Sequence, residues 1–305
     1  MQNTSGLLKR GFIYLSERFP LYQFVTLSLI FGLHASLFAQ VFSEGSYKLE
    51  RGLLSCLALF LFLFRLRLFD EFKDFEHDKE HYATRPVPRG LISLSELRSL
   101  VFIIFALELI LSLYSGGAAF VFFIIALSYS LLLLKEFFAK YWLKKHFTVY
   151  IAVHEVLAIP IFFYLYSINI KSFDFLTNYL FTAHSLLLTA SFFSLEVARK
   201  IRPKTLEIPS KDTYTAQYGI DGASKLLAGL SALSLIFSVF ISIVAKSTSL
   251  IPLLPALVCF LYLAVVINKF KEKPNVKTSK KVFFCSIIYA ILLNIGMSTS
   301  LWLAK

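Results

Sequence analysis

Residues 68–90 read LFDEFKDFEHDKEHYATRPVPRG, and six of the chain's nineteen acidic residues fall within eleven positions there: Asp70, Glu71, Asp74, Glu76, Asp78 and Glu80. On a helix, Asp70, Asp74 and Asp78 stack at i, i+4 and i+8, with Glu71 beside them. Four like charges on one face oppose one another unless a cation sits among them. Carboxylate oxygens suit hard cations, and Mg2+ takes one or two of them together with phosphate oxygens and water. Arg65 and Arg67 precede the run, and Arg85 and Arg89 follow it around two prolines. Guanidinium groups pair bidentately with phosphate oxygens. Glu76 and Glu80 alternate with Lys73 and Lys79 as a solvated charged face. The run reads either as a loop that solvates a helix end or as a Mg2+ and diphosphate site, and the converging arginines favour the second.

The elements that must position this loop are apolar. The chain has 305 residues, 57% hydrophobic and only 16% charged, with a mean hydropathy of +0.69. A soluble domain carries about 25% charged residues, so an ordinary soluble enzyme, a disordered chain and a disulfide scaffold are excluded. Cys56, Cys259 and Cys285 lie in apolar runs without metal-like spacing. Residues 1–20 lack the unbroken apolar region of a cleavable signal peptide. Beyond Pro20, nine stretches approach the ~20 residues of a bilayer crossing, at 21–42, 52–69, 97–115, 118–134, 147–168, 177–197, 222–245, 249–268 and 282–303, with Gly116-Gly117 as a tight break.

Lysine and arginine placement gives the orientation. With a cytoplasmic N-terminus, 26 of the 31 basic residues fall in inside segments, as the positive-inside rule requires. The net charge of +12 is therefore loop charge, and no nucleic-acid partner is expected. The Lys-rich loops at 135–146 and 269–281 read as contacts with anionic lipid headgroups. His34, Glu108, His154, Glu155 and His184 lie inside apolar runs, where ionisable groups face a partner or a cavity. The expectation is one all-α integral membrane domain over residues 1–305, multi-pass in an inner (cytoplasmic) membrane.

The stretch Asp70-Glu71-x-x-Asp74-x-x-x-Asp78, followed by Arg85-Pro86-x-x-Arg89-Gly90, resembles the first aspartate-rich motif of the UbiA superfamily of intramembrane prenyltransferases, N-D-x-x-D-x-x-x-D with an R-P-x-x-x-G tail. Asp70 stands at the Asn position and Glu71 at the first Asp. The resemblance implies nine transmembrane helices around a central cavity, capped by two acidic loops on the cytoplasmic side. The family's second motif, D-x-x-x-D, follows the sixth span. There the chain reads SLEVARKIRPKTLEIPSKDTYTAQYG, with Glu196 at the first aspartate and Lys200 at the second. Glu196 and Lys200 read plainly as a helical ion pair worth about 0.3–0.5 kcal/mol. The functional alternative makes Glu196 a metal ligand, with Arg199, Lys200, Arg202 and Lys204 clamping diphosphate, Asp212 replacing the lost carboxylate and Tyr214 bonding a phosphate oxygen.

By this resemblance the expected activity is Mg2+-dependent transfer of an isoprenyl group from an isoprenyl diphosphate to an aromatic or lipophilic acceptor. Asp70, Glu71, Asp74, Asp78 and Glu196 would hold Mg2+, with Asp212 as a further ligand. Arg65, Arg85, Arg89, Arg199, Lys200, Lys204 and Tyr214 would bind the diphosphate. Glu71 for Asp and Lys200 for a carboxylate mark a divergent member. Two alternatives stand: a terpene cyclase on the same scaffold, and a transporter or inactive member. Carboxylates clustered in loops speak against transport, whose sites lie near the bilayer midplane.

Overall fold

A computed structural model describes residues 6–43, 47–207 and 213–303, apart from the Lys144 side chain. Thirteen α-helices, and no strand, occur among the described residues. They are α1 (Leu7–Arg18), α2 (Leu21–Ser43), α3 (Leu49–Lys73), α4 (Phe75–His81), α5 (Leu94–Ser115), α6 (Gly117–Leu134) and α7 (Lys140–Lys145). Then come α8 (Phe147–Glu155), α9 (Ala158–Ile170), α10 (Tyr179–Arg199), α11 (Tyr214–Val244), α12 (Leu254–Glu272) and α13 (Val276–Trp302). Among the described residues nine helical stretches are long and apolar enough to cross a membrane, the fifth being α8 with α9 and the eighth running Ile251–Glu272. Each coincides with one stretch expected from the sequence. In α5 only 28% of the spanning residues are buried, and Phe102, Ile103 and Ile110 point outward. An apolar face of that extent needs hydrocarbon around it.

Local chemistry sets the breaks. Pro160 has no N–H to bond the Val156 carbonyl, and the fifth span divides at Val156–Leu157. Gly116 turns between α5 and α6 at φ 113, a conformation that costs a side-chain-bearing residue. At the start of α5, Ser93 and Glu96 form a reciprocal capping box. The seventh span, α11, begins at Tyr214, eight residues before the expected apolar stretch, because Thr213 caps it by accepting from the Ala216 N–H at 3.1 Å; its register then breaks at Gly219, φ 71.

The helices pack as two compact units, which among the described residues comprise 6–36 with 47–173, and 37–43 with 174–207 and 213–303. In the first, α3 packs on α5 and α9, and α6 on α9. Small Ala118, Ala119 and Ala126 let α6 approach closely, and Phe123 meets Tyr164 with ring centroids 5.8 Å apart. In the second, α10 packs on α11 and α12 on α13. Tyr289 of α13 donates to the Ser231 carbonyl of α11 at 2.6 Å, and packs with Ala256 and Leu293.

Candidate active site

In the first unit, α3 carries the acidic motif out of the apolar span, and Asp74 joins α3 to α4. The bonds from Asp74 N to Asp70 O (2.9 Å) and from Asp78 N to Asp74 O (2.8 Å) carry the helical register through the junction. Asp70, Asp74 and Asp78 thus keep the i, i+4, i+8 spacing. The expectation that all four carboxylates share one face gives way to a division. Glu71 and Asp78 are 2% exposed and face arginines. Arg18 Nε lies 2.7 Å from Glu71 Oε1, and Arg18 Nη2 lies 3.2 Å from Asp78 Oδ2. Arg67 Nη2 reaches Glu71 Oε1 at 2.7 Å, and Arg85 Nη1 bonds Asp78 Oδ1. Asp70 is 43% exposed in its side chain, and it lies 3.7 Å from Arg67 and 3.4 Å from Lys73. Burial pushes the Asp74 carboxyl up to about 6; Lys73 opposes this, and the charges of Asp70 and Asp78 add to it.

Residues 82–90 fold as successive turns, closed by Arg85 N to Tyr82 O (2.9 Å) and Gly90 N to Val87 O (3.0 Å), with Gly90 at φ 76. The guanidinium of Arg85 stacks 3.6 Å from the centre of the Tyr82 ring. Arg89 donates to the Thr84 carbonyl at 2.7 Å and pairs with Glu17 at 2.7 Å. Arg65 is placed apart from these groups. It is fully buried in α3, donating to Glu108 of α5 at 2.6 Å and to Ser130 of α6 at 2.8 Å.

The second unit holds the other group of predicted residues. Glu196, at the end of α10, accepts from Arg199 Nη2 at 2.7 Å and pairs with Lys200 at 2.9 Å, so both its oxygens are engaged. Lys200 Nζ lies 5.9 Å from the centre of the Tyr214 ring. Lys204 is exposed in a short turn, Lys204–Leu206. Glu207 accepts from the hydroxyls of Thr213 and Thr215, each at 2.5 Å, which ties the loop to the start of α11. Asp212 lies outside the described residues.

Among the described residues no three His, Cys, Asp or Glu side chains converge to enclose a metal ion. The donor set fits Mg2+ in an open form. Asp70 and Asp74 stand one helical turn apart, and Mg2+ can complete its shell with phosphate oxygens and water. Sequence reasoning missed Arg18, and it did not pair Arg65 with Glu108. Two lone charges within apolar runs were visible for the second case; nothing local marked the first.

An all-helical chain with nine apolar spans and an acidic, arginine-lined helix end is an integral, multi-pass membrane protein. Residues 17–288 match the UbiA prenyltransferase family, and the chain belongs to it. None of the curated proteins matches it in sequence. Its fold is similar to that of a solved digeranylgeranylglyceryl phosphate synthase, with a TM-score of 0.63 at 20% identity over 96% of this chain and 99% of that one. It is similar also to a UbiA homolog from Aeropyrum pernix K1, with a TM-score of 0.61 at 18% identity over 88% of this chain and 96% of the other.

Proposed function

We propose that the protein transfers an isoprenyl group from an isoprenyl diphosphate to an aromatic or otherwise lipophilic acceptor, with the first acidic motif on the cytoplasmic side of an inner membrane. The observation that carries this reading is the placement of Asp70 and Asp74 one turn apart where an apolar helix ends, with arginines on the neighbouring carboxylates. Family membership supports it. An isoprenyl diphosphate has an apolar tail suited to the span and an anionic head suited to its charged end. When bound, Mg2+ would be held by Asp70 and Asp74 and would offset charge on the departing diphosphate.

The chain's own groups do the rest. Arg85 and Arg89, displayed on the turns after the motif, pair with phosphate oxygens. Arg199, Lys200 and Lys204 form a second cationic group, and Glu196 orients Arg199 and Lys200. The allylic C–O bond breaks, and its electron pair leaves with the diphosphate. The acceptor supplies the electrons for the new bond to the allylic carbon and loses a proton. Apolar helix walls keep water from that carbon.

The test is purified protein with Mg2+, a panel of isoprenyl diphosphates and a lipid extract as acceptor source. Mg2+-dependent diphosphate release and a prenylated product are expected. D74N should lower the rate by about 100-fold or more, the scale of losing one electrostatic partner of a developing charge. Undiminished release by D74N would overturn the assignment, and a cyclic product formed without acceptor would make the chain a terpene cyclase.

A further inference from the structure

Helix α1 lies ahead of the nine spans, and apart from Glu17 and Arg18 it also precedes the residues that match the family. It nevertheless reaches the motif. Arg10, Tyr14, Glu17 and Arg18 recur at i, i+4, i+7 and i+8, one face of a helix. Arg10 pairs with Glu96 at 2.7 Å and donates to the Leu91 carbonyl at 3.2 Å. Tyr14 is buried, and Glu17 holds Arg89. Arg18 ends the row, its guanidinium bridging Glu71 at 2.7 Å and Asp78 at 3.2 Å with only 11% of the side chain exposed. Leu8 and Phe12 face outward at 81% and 69% exposure. The helix is pinned at three successive turns, and the last pin is inside the acidic motif.

The charges around Glu71 and Asp78 are then closed. Arg18 and Arg85 face these two carboxylates, and Arg67 is shared between Glu71 and Asp70. A divalent cation entering there meets carboxylates whose charge is already compensated, so the cation is left to Asp70 and Asp74. We propose that Arg18 is a positioning residue: it is the built-in countercharge of Glu71 and Asp78, and it restricts the first motif to a single divalent cation. This rests on the reading of the motif as a cation and diphosphate site. A bridging guanidinium suits the role because its rigid planar fork presents separate N–H donors, Nε to Glu71 and Nη2 to Asp78.

The test is Mn2+ binding to purified protein in detergent, read from the EPR signal of free Mn2+, with inorganic pyrophosphate binding measured alongside. The wild type should bind one Mn2+ at this motif, as counted by the loss in D70N/D74N. R18Q should bind Mn2+ roughly three- to tenfold more tightly, or gain a second ion, the scale of removing one charge several ångströms away in a partly wet site. Its pyrophosphate affinity should fall by a similar factor. A variant that merely unfolds loses both, so opposite directions separate countercharge from structural damage. R10Q, which loosens α1 at its far end, should leave Mn2+ binding within about twofold, on the same Coulomb argument. If R18Q does not stay monodisperse, R18M, which also removes the charge, replaces it with the same changes expected. Unchanged Mn2+ binding in R18Q or R18M, an equal rise in R10Q, or two ions on the wild-type motif overturns the proposal and leaves the prenyltransferase reading standing. Absence of Mn2+ binding in both wild type and R18Q overturns both. Binding in R18Q alone supports Arg18 as countercharge and counts against the metal-dependent reading of the native chain.

Discussion

Asp74 ends one helix and begins the next, and it is partly buried among Lys73, Asp70, Asp78 and Arg67. Its carboxyl titrates near 6 against an ordinary 3.8, burial being the main cause. A raised carboxyl binds its proton more tightly in the folded state, so the folded state is favoured below 3.8 and loses that advantage as the pH rises through about 6. Without divalent cations, the thermal midpoint in detergent should therefore rise as the pH drops from 7 to 5. D74N should remove most of that rise, and an unchanged slope in D74N would assign the effect to another group. The spacing of Asp70, Asp74 and Asp78 was legible in the sequence because helical periodicity alone sets it. The environment of each was not. Glu71 and Asp78 are neutralised partly by Arg18, 53 and 60 residues away, and no local pattern encodes a contact of that range.

At the scale of elements, α3 must be fixed in rotation if its end is to keep Asp70 partly exposed and Glu71 inward. The buried pair of Arg65 and Glu108 couples α3 to α5, and Ser130 adds α6. The Arg65 guanidinium also lies over the rings of Phe62 and Phe69, 4.4 and 5.1 Å from their centres. Breaking a buried pair from one side leaves an uncompensated charge and costs about 3–5 kcal/mol. R65M and E108L should each lower stability on that scale, whereas the double variant should lose much less than their sum. Unfolding followed by circular dichroism in detergent measures this, and additive losses would show that the two residues act separately. Pro160 and the Ser93–Glu96 box gave no boundary in the sequence, but the break at Gly116, where the chemistry is also local, was legible. The start of α11 at Tyr214 was not, since its first turn lacks an apolar run and rests on a Thr213 cap.

The whole molecule concentrates its few charges in loops, and that distribution carries the topology. The nine apolar stretches were legible because a membrane imposes a length and a composition that sequence displays directly. Arg65 is an exception among the described basic residues assigned to the inside, since it is enclosed within the span and belongs to the packing of α3. The remaining asymmetry still favours a cytoplasmic N-terminus, with the loops after α4 and α12 on the same side. Cysteine accessibility tests this in a background lacking Cys56, Cys259 and Cys285. E80C and K273C should react with an impermeant maleimide only after vesicles of outside-out orientation are permeabilised. T177C and T248C, in the connections before α10 and after α11, should react in intact vesicles; all four positions are exposed. A fully reversed pattern would invert the protein and move the acidic motif away from the cytoplasmic pool of diphosphates. A mixed pattern would break the alternation of nine crossings, because a missing span flips every loop beyond it.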